Sequence, residues 1–292
     1  MAEPSVEAPG LIPYDVASPL WSDGAEKSRF FALPASSAIG LEPGGGTVDE
    51  GHFDMPVGTI MVKTFTVAGK RIETRLLTRL GPQAWAGYVY AWRADQSDAD
   101  LLPDAINGTT RTLDNGQSWY FPSRGDCFAC HTPAAGVTLG LERWQLDHDF
   151  AYRARSSNQL DTLAHIGVLT IPTSPSLTIP KRDDQSQPIE ARARGLLHAN
   201  CSFCHRLGST MADLDLRFDT PLQRTSTCNA TPERGGAPDD KRIAPGLPDH
   251  SVLLTRMKST TIDRMPPIAT SVVDTEGTTI ISTWIQSLTS CP

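Results

Sequence analysis

Two short strings carry most of the chemistry this sequence can offer. They are Cys127-Phe-Ala-Cys130-His131 and Cys201-Ser-Phe-Cys204-His205. In each, two thiols three residues apart are followed at once by an imidazole. Thiols at that spacing reach one edge of a macrocycle and add to its vinyl groups, and the histidine then falls beneath the iron as an axial ligand. This is the attachment pattern of c-type haem. With 6 Cys and 7 His in 292 residues, chance supplies roughly 0.003 such strings. The sequence therefore predicts two covalently bound haem c groups, attached through Cys127, Cys130, Cys201 and Cys204 and ligated by His131 and His205. The competing use of two C-x-x-C pairs is a zinc site. Their separation of about 70 residues and the histidine that closes each one favour haem.

The sixth ligands are less evenly legible. For the second haem, Met265 stands in Arg264-Met265-Pro266-Pro267, where paired prolines stiffen the loop that presents the thioether. His/Met ligation raises a haem potential, so the second haem is expected to be the higher-potential one. A backbone carbonyl of the Ile243-Ala244-Pro245-Gly246 loop is expected to accept the free N–H of His205, which makes Pro245 part of the haem-binding set. For the first haem, His165, Met55, Met61, His148, His52 or an open position all fit. His165, on a predicted helix 34 residues past His131, is preferred. Cys228 and Cys291 remain over and form an expected disulfide, since haem attachment takes place outside the cytoplasm and an even remainder there pairs.

The elements that must position these groups follow from texture. Residues 59–67, 71–79 and 84–93 are rich in β-branched and aromatic side chains with turn signals between them, and read as an antiparallel meander; the middle run alternates less cleanly. Asn115-Gly116 is a further turn, before the short aromatic run of residues 119–121. Residues 1–58, with Gly44-Gly45-Gly46, read as irregular. Residues 139–168 read as helical. Residues 169–188 hold four prolines and read as a boundary between a haem domain (1–185) and a second domain (186–292). In the latter, residues 189–200, residues 248–257 capped by Asp249, and a stripe of Ile280, Ile281, Trp284, Ile285 and Leu288 beginning at Asp274 predict three helices. The fold class expected is α+β, an antiparallel-sheet haem domain followed by an all-α one.

The net charge of −7 and the lack of any basic run argue against nucleic acid, and no 18-residue apolar stretch predicts a membrane span. The first residues, Met1-Ala-Glu-Pro-Ser-Val-Glu7, do not read as a signal peptide. Since haem attachment is extracytoplasmic, a periplasmic or secreted protein that has lost its signal is expected.

Residues 186–292 resemble a class I cytochrome c: Cys201-Ser-Phe-Cys204-His205, Pro245-Gly246, Ser251-Val-Leu-Leu, Met265-Pro-Pro and Trp284-Ile285 follow in that family's order. The whole chain, from residues 14–27 through 56–65, 158–167 and 192–205, resembles a family of bacterial dihaem c-type cytochromes. Members of that family often occur near, or fused to, quinoprotein sugar dehydrogenases. The resemblance implies an electron carrier between redox partners, with such a dehydrogenase or a terminal acceptor as partner. Residues 56–65 also resemble haem proteins of the cytochrome c-prime-beta type, in which a sheet covers the distal haem face. That likeness implies an open or apolar distal side at the first haem, with Lys63 near it. The alternative function is a haem enzyme whose high-spin first haem acts on peroxide or a nitrogen oxide while the second relays electrons. No Gly-x-Ser-x-Gly, Walker loop or His-Glu-x-x-His supports a hydrolase.

The protein matured with haem-attachment machinery is expected to give a pyridine haemochrome spectrum equivalent to two haems per chain. A colourless product without a Soret band would return the two strings to zinc or to structure.

Overall fold

The computed structural model describes residues 8–41, 51–153, 155–173, 177–209, 211 and 213–292. Residues 1–7, Gly44–Gly46 and Pro175 lie outside that range. In chain order the strands of the first half are β1 (Ile12–Tyr14), β2 (Glu26–Ala32), β3 (Gly40–Leu41), β4 (Phe53–Asp54), β5 (Ile60–Val67), β6 (Lys70–Gly81), β7 (Ala84–Trp92), β8 (Ala99–Leu101), β9 (Thr109–Thr112) and β10 (Ser118–Phe121). Six of them form one sheet in the order β1-β2-β5-β6-β7-β8, with every pairing antiparallel. The expected three-strand meander is thus its centre. The stretch expected to be irregular supplies β1 and β2, because Arg29, Phe30 and Phe31 take the free edge of β5.

The sheet is wetted on one face and covered on the other, as antiparallel sheets commonly are. Phe31, Met61, Phe65, Leu77 and Val89 point to the covered face and are buried. The other face carries Thr64, Thr74 and Trp92, joined by hydroxyl and indole hydrogen bonds of 2.7 and 3.0 Å. The uneven alternation of β6 has a cause. Glu73 and Arg75 lie on its covered face among the apolar residues, Glu73 fully buried and Arg75 lining a cleft described below.

After the sheet come α1 (Arg124–Cys130), α2 (Arg143–Leu146), the hairpin β11 (Asp149–Tyr152) and β12 (Arg155–Asn158), and α3 (Gln159–His165). The expected helix over 139–168 is therefore three separate pieces. Asn158 ends the hairpin and caps α3, its side-chain oxygen accepting from Leu160 and Asp161 N–H at 2.9 and 3.3 Å.

The second half corrects the expected all-α cytochrome domain. Helices α4 (Ile189–Cys201), α5 (Val252–Lys258) and α6 (Thr275–Ser287) are its only α-helices among the described residues, in a chain that is mixed overall. The described residues between α4 and α5 run as turns and two short 3-10 segments, rich in Pro and Gly, too broken by them to sustain helical hydrogen bonding. Asp274 caps α6 by accepting from Gly277 N–H at 2.9 Å. The α6 stripe then buries Ile280, Ile281, Trp284 and Ile285 against Leu196 and Leu254, at about 1.5–3 kcal/mol for each such side chain. At α5 the cap is Ser251, not Asp249. Ser251 is fully buried, with Oγ receiving Ala244 N–H at 2.9 Å, and the preceding turn is a separate 3-10 helix.

The proline-rich segment is no loose linker where it is described. Ile179 is buried with Ala17 and Trp144, its N–H bonded to Trp144 O at 2.9 Å. Arg182 pairs with Asp274 at 2.8 Å. Residues 15–25 strap the halves together: Trp21 N–H donates to Asn200 Oδ1 at 2.7 Å and its indole to Val272 O at 2.7 Å. Cys228 and Cys291 are joined by a disulfide across 63 residues, tying the long loop to the chain past α6.

Replacing both cysteines, C228S/C291S, is expected to lower stability by up to about 4 kcal/mol, the loop-closure entropy of a 63-residue ring. Urea unfolding of the two proteins without reductant measures it.

Candidate haem centres

The first motif is placed by a capping box. Ser123 Oγ accepts from Asp126 N–H at 3.1 Å, and Asp126 Oδ2 accepts from Ser123 N–H at 2.9 Å and from the Tyr120 hydroxyl at 2.7 Å. Helix α1 starts there, so Cys127 and Cys130 sit one turn apart on one side. Cys127 lies against Gly87 of β7; a Cβ at Gly87 would stand 3.2 Å from its sulfur. The close approach of α1 to the sheet needs that missing side chain.

His131 follows α1 and turns into a cleft of about 1510 Å³, the solvent at its mouth included, which Cys127 and Cys130 also line. Its Nδ1 is 2.5 Å from Val137 O. That bond holds the proton on Nδ1 and leaves Nε2 with its lone pair free to ligate. Burial, reinforced by the charge of Lys63, pushes the imidazole down to about 4, so it is neutral at neutral pH. Burial, with Cys204 adding to it, pushes the Cys130 thiol up to about 12. The sheet supplies Met61, Lys63 and Phe65 of β5 and Arg75 and Leu77 of β6 to the same cleft. Walls that are apolar at Met61, Phe65 and Leu77, a fixed neutral imidazole and two thiols at one edge suit a covalently attached haem. When bound it supplies a one-electron couple; the chain fixes its ligand and shields it from water.

The sixth-ligand candidates for this haem separate cleanly. His165 is exposed at the end of α3 and is not part of the cleft lining, so the preferred ligand is displaced by the fold. Met55 is fully buried in the core beside Phe53. His148 is held by Gln159 at 3.1 Å. His52 is buried next to Glu142, 3.7 Å away. Met61 does line the cleft, and so does Lys63, where the sheet-covered arrangement implied by residues 56–65 would put it.

The second motif continues from α4. His205 N–H donates to Cys201 O at 2.9 Å and its own carbonyl accepts from Leu216 N–H at 2.9 Å, so the turn carrying the imidazole is pinned on both sides. Cys201 borders the core of Ala193, Leu197 and Trp284, and burial pushes its thiol up to about 12. His205 Nδ1 is buried without a hydrogen-bond partner. The imidazole interacts instead with the Met211 backbone, and burial lowers its pKa. The expected partner loop does something else: Pro245 is half-buried and Gly246 N–H donates to Ile285 O at 2.9 Å. That bond docks the loop on α6. Met265 is half-buried, with its N–H on Arg256 O at 3.1 Å. Pro266 to Ala269, which follow it, line the His131 cleft. The Met-Pro-Pro loop therefore borders the His131 cleft, not the His205 turn it was expected to serve.

Two features escaped the sequence reading. The motifs touch: Cys204 Sγ is 3.9 Å from Ala129 O, inside the other string. Beside that contact lies a buried ionic cluster. Glu142 Oε1 accepts from His198 Nε2 at 2.8 Å, while His198 Nδ1 accepts Phe218 N–H at 3.0 Å. Arg206 reaches Ala134 O at 2.8 Å and Ser202 O at 2.7 Å, and its guanidinium is 3.4 Å from His52 Nε2. Burial alone would raise the Glu142 pKa; His198, His52 and Arg206 together hold it below its ordinary value. The one signal available was positional: His198 and Arg206 flank the second string.

Among the described residues no three His, Cys, Asp or Glu side chains converge to hold a metal ion, and the four motif thiols do not form a single tetrahedral set. No helix among the described residues is long and apolar enough to cross a membrane. Comparison with family models, curated proteins and solved structures finds no match to this chain.

Because the folded pKa of Glu142 lies below 4.5, its stabilisation is complete above that pH and is lost as pH falls through the folded value. E142Q is expected to cost about 1–3 kcal/mol at pH 7 and to flatten the acid limb of stability against pH. Denaturant unfolding from pH 7 to 3 checks both.

Proposed function

We propose that this protein is a dihaem c-type cytochrome that carries electrons between redox partners. The observation that carries this reading is the contact between the two attachment strings, with Cys204 Sγ 3.9 Å from Ala129 O. Macrocycles fixed through these strings would have their attached edges next to each other, the arrangement a one-electron relay needs. His131 and His205 would ligate the two haems, with Met265 as a further ligand to the second. The residues of the chain do four things. Val137 O fixes the His131 tautomer, Gly87 lets α1 seat against the sheet, apolar walls exclude water, and the Glu142 cluster keeps the strings in register.

The disulfide supports an extracytoplasmic setting. The net charge of −7 suits a partner with basic residues around its own redox centre, a quinoprotein dehydrogenase on the donor side or a terminal acceptor on the other.

A potentiometric titration is expected to resolve two one-electron steps, with electron exchange between the haems faster than reduction of the protein by a soluble donor in stopped flow. M265A is expected to lower the higher potential and leave the lower one in place, since thioether ligation raises it. Independent haems that exchange electrons only through solution would sink the relay, and an unchanged pair of potentials would remove Met265 from the ligand set.

A further inference from the structure

The covered face of the sheet carries a row of like charges. By register Arg29 of β2 stands opposite Lys63 of β5, and Lys63 opposite Arg75 of β6. All three line the His131 cleft, and Lys27, one step along β2 on the same face, joins them. Like charges directly opposite in a sheet repel, and burial strengthens the repulsion. The chain answers only part of it. Asp15 pairs with Arg29 at 2.7 Å, and Glu73 takes Arg75 through two bonds of 2.6 and 3.0 Å. Among the described residues no carboxylate forms an ion pair with Lys63, and Lys27 donates to Ala25 O at 3.1 Å, with Asp274 acting on it only at longer range. The neighbouring wall is apolar, with Met61, Phe65 and Leu77 in the same cleft. Uncompensated cations on such a wall are costly: either the lysines give up their protons, the direction in which burial and the neighbouring arginines push both, or an anion from outside the polypeptide joins them and keeps them charged.

We propose that Lys63, with Lys27, Arg29 and Arg75 around it, is an oxyanion-binding site in the cleft that holds His131. It rests on the reading of His131 as a haem ligand in one respect, the source of the anion. That source is either a carboxylate of the haem itself or a free small oxyanion entering the cleft. Strain alone does not explain the row, because Met or Leu at position 63 would continue the apolar wall without repulsion. The charge is complementary to a ligand of one or two negative charges, and the two lysines present donors that no protein group uses fully.

The test uses the haem-loaded protein with variants K63Q and K27Q, both first checked by haemochrome count and circular dichroism. Sodium nitrite is titrated by calorimetry at constant ionic strength. Saturable binding that weakens about tenfold or more in K63Q assigns the site to a free oxyanion. If nitrite does not bind, the infrared carboxylate bands of haem labelled in its propionates are compared. A shift in K63Q or K27Q assigns the site to the haem carboxylate. Nitrite binding unaffected by both variants, or no binding together with unmoved carboxylate bands, overturns the proposal. A haemochrome count below two would instead overturn the dihaem reading, and the calorimetric arm would still decide the oxyanion site.

Discussion

The carboxylate of Glu142 is the constraint on which the arrangement of both motifs depends. It is 2 % exposed, in the loop that follows the first string, and its firmest partner is His198, on the helix that leads into the second. A buried carboxylate cannot be left unpaired, because the water it gave up is not otherwise replaced. Loop and helix are thus bound to each other through a charge rather than through surface area. Arg206, directly after the second histidine, closes the same cluster by reaching Ala134 O in the turn after the first. Each string is therefore held by a residue that neighbours the other.

Other contacts between the halves are directional too. The strap of residues 15–25 ends on Asn200 and Val272 through hydrogen bonds, and Asp23 both donates to Ala269 O at 3.2 Å and accepts Val272 N–H at 2.8 Å. Hydrogen bonds and ion pairs fix distance and angle where apolar contact alone allows sliding. For the proposed relay, a fixed separation between cofactors would matter more than extra stability. The same strap brings the Pro266–Ala269 turn to the first cleft, so the loop expected to serve the second haem borders the His131 cleft.

The thiols bear on maturation. Cys130 and Cys201 are pushed up to about 12 by burial, so in the folded chain they are protonated. The thiolate is the reactive form. On the proposed dihaem reading, thioether formation would be favoured while the strings are still unburied, and folding would then close around the attached groups.

Much of the chemistry was legible in the residues alone. The two C-x-x-C-H strings name thiols and imidazoles by local spacing, and local spacing survives any fold. The strand runs at 60–92, the cap at Asp274 and the stripe of α6 were readable for the same reason, since period and capping act within a few residues. The pairing of Cys228 with Cys291 followed from counting. What failed was long-range. His165 was chosen by sequence distance and stands at the surface. Glu73 and Arg75 broke the alternation of the 71–79 run, and that irregularity did not say what either side chain faced. An all-helical second half was inferred from the order of motifs, but order does not supply helical hydrogen bonds to a segment rich in Pro and Gly. Sequence by itself determined which atoms are able to attach and ligate, because those are properties of side chains and of spacings under one turn. Tertiary structure alone decided that the two strings touch, that four cations share one wall and that Glu142 joins the halves. Those facts depend on strand register and on buried charge seeking a partner more than fifty residues away.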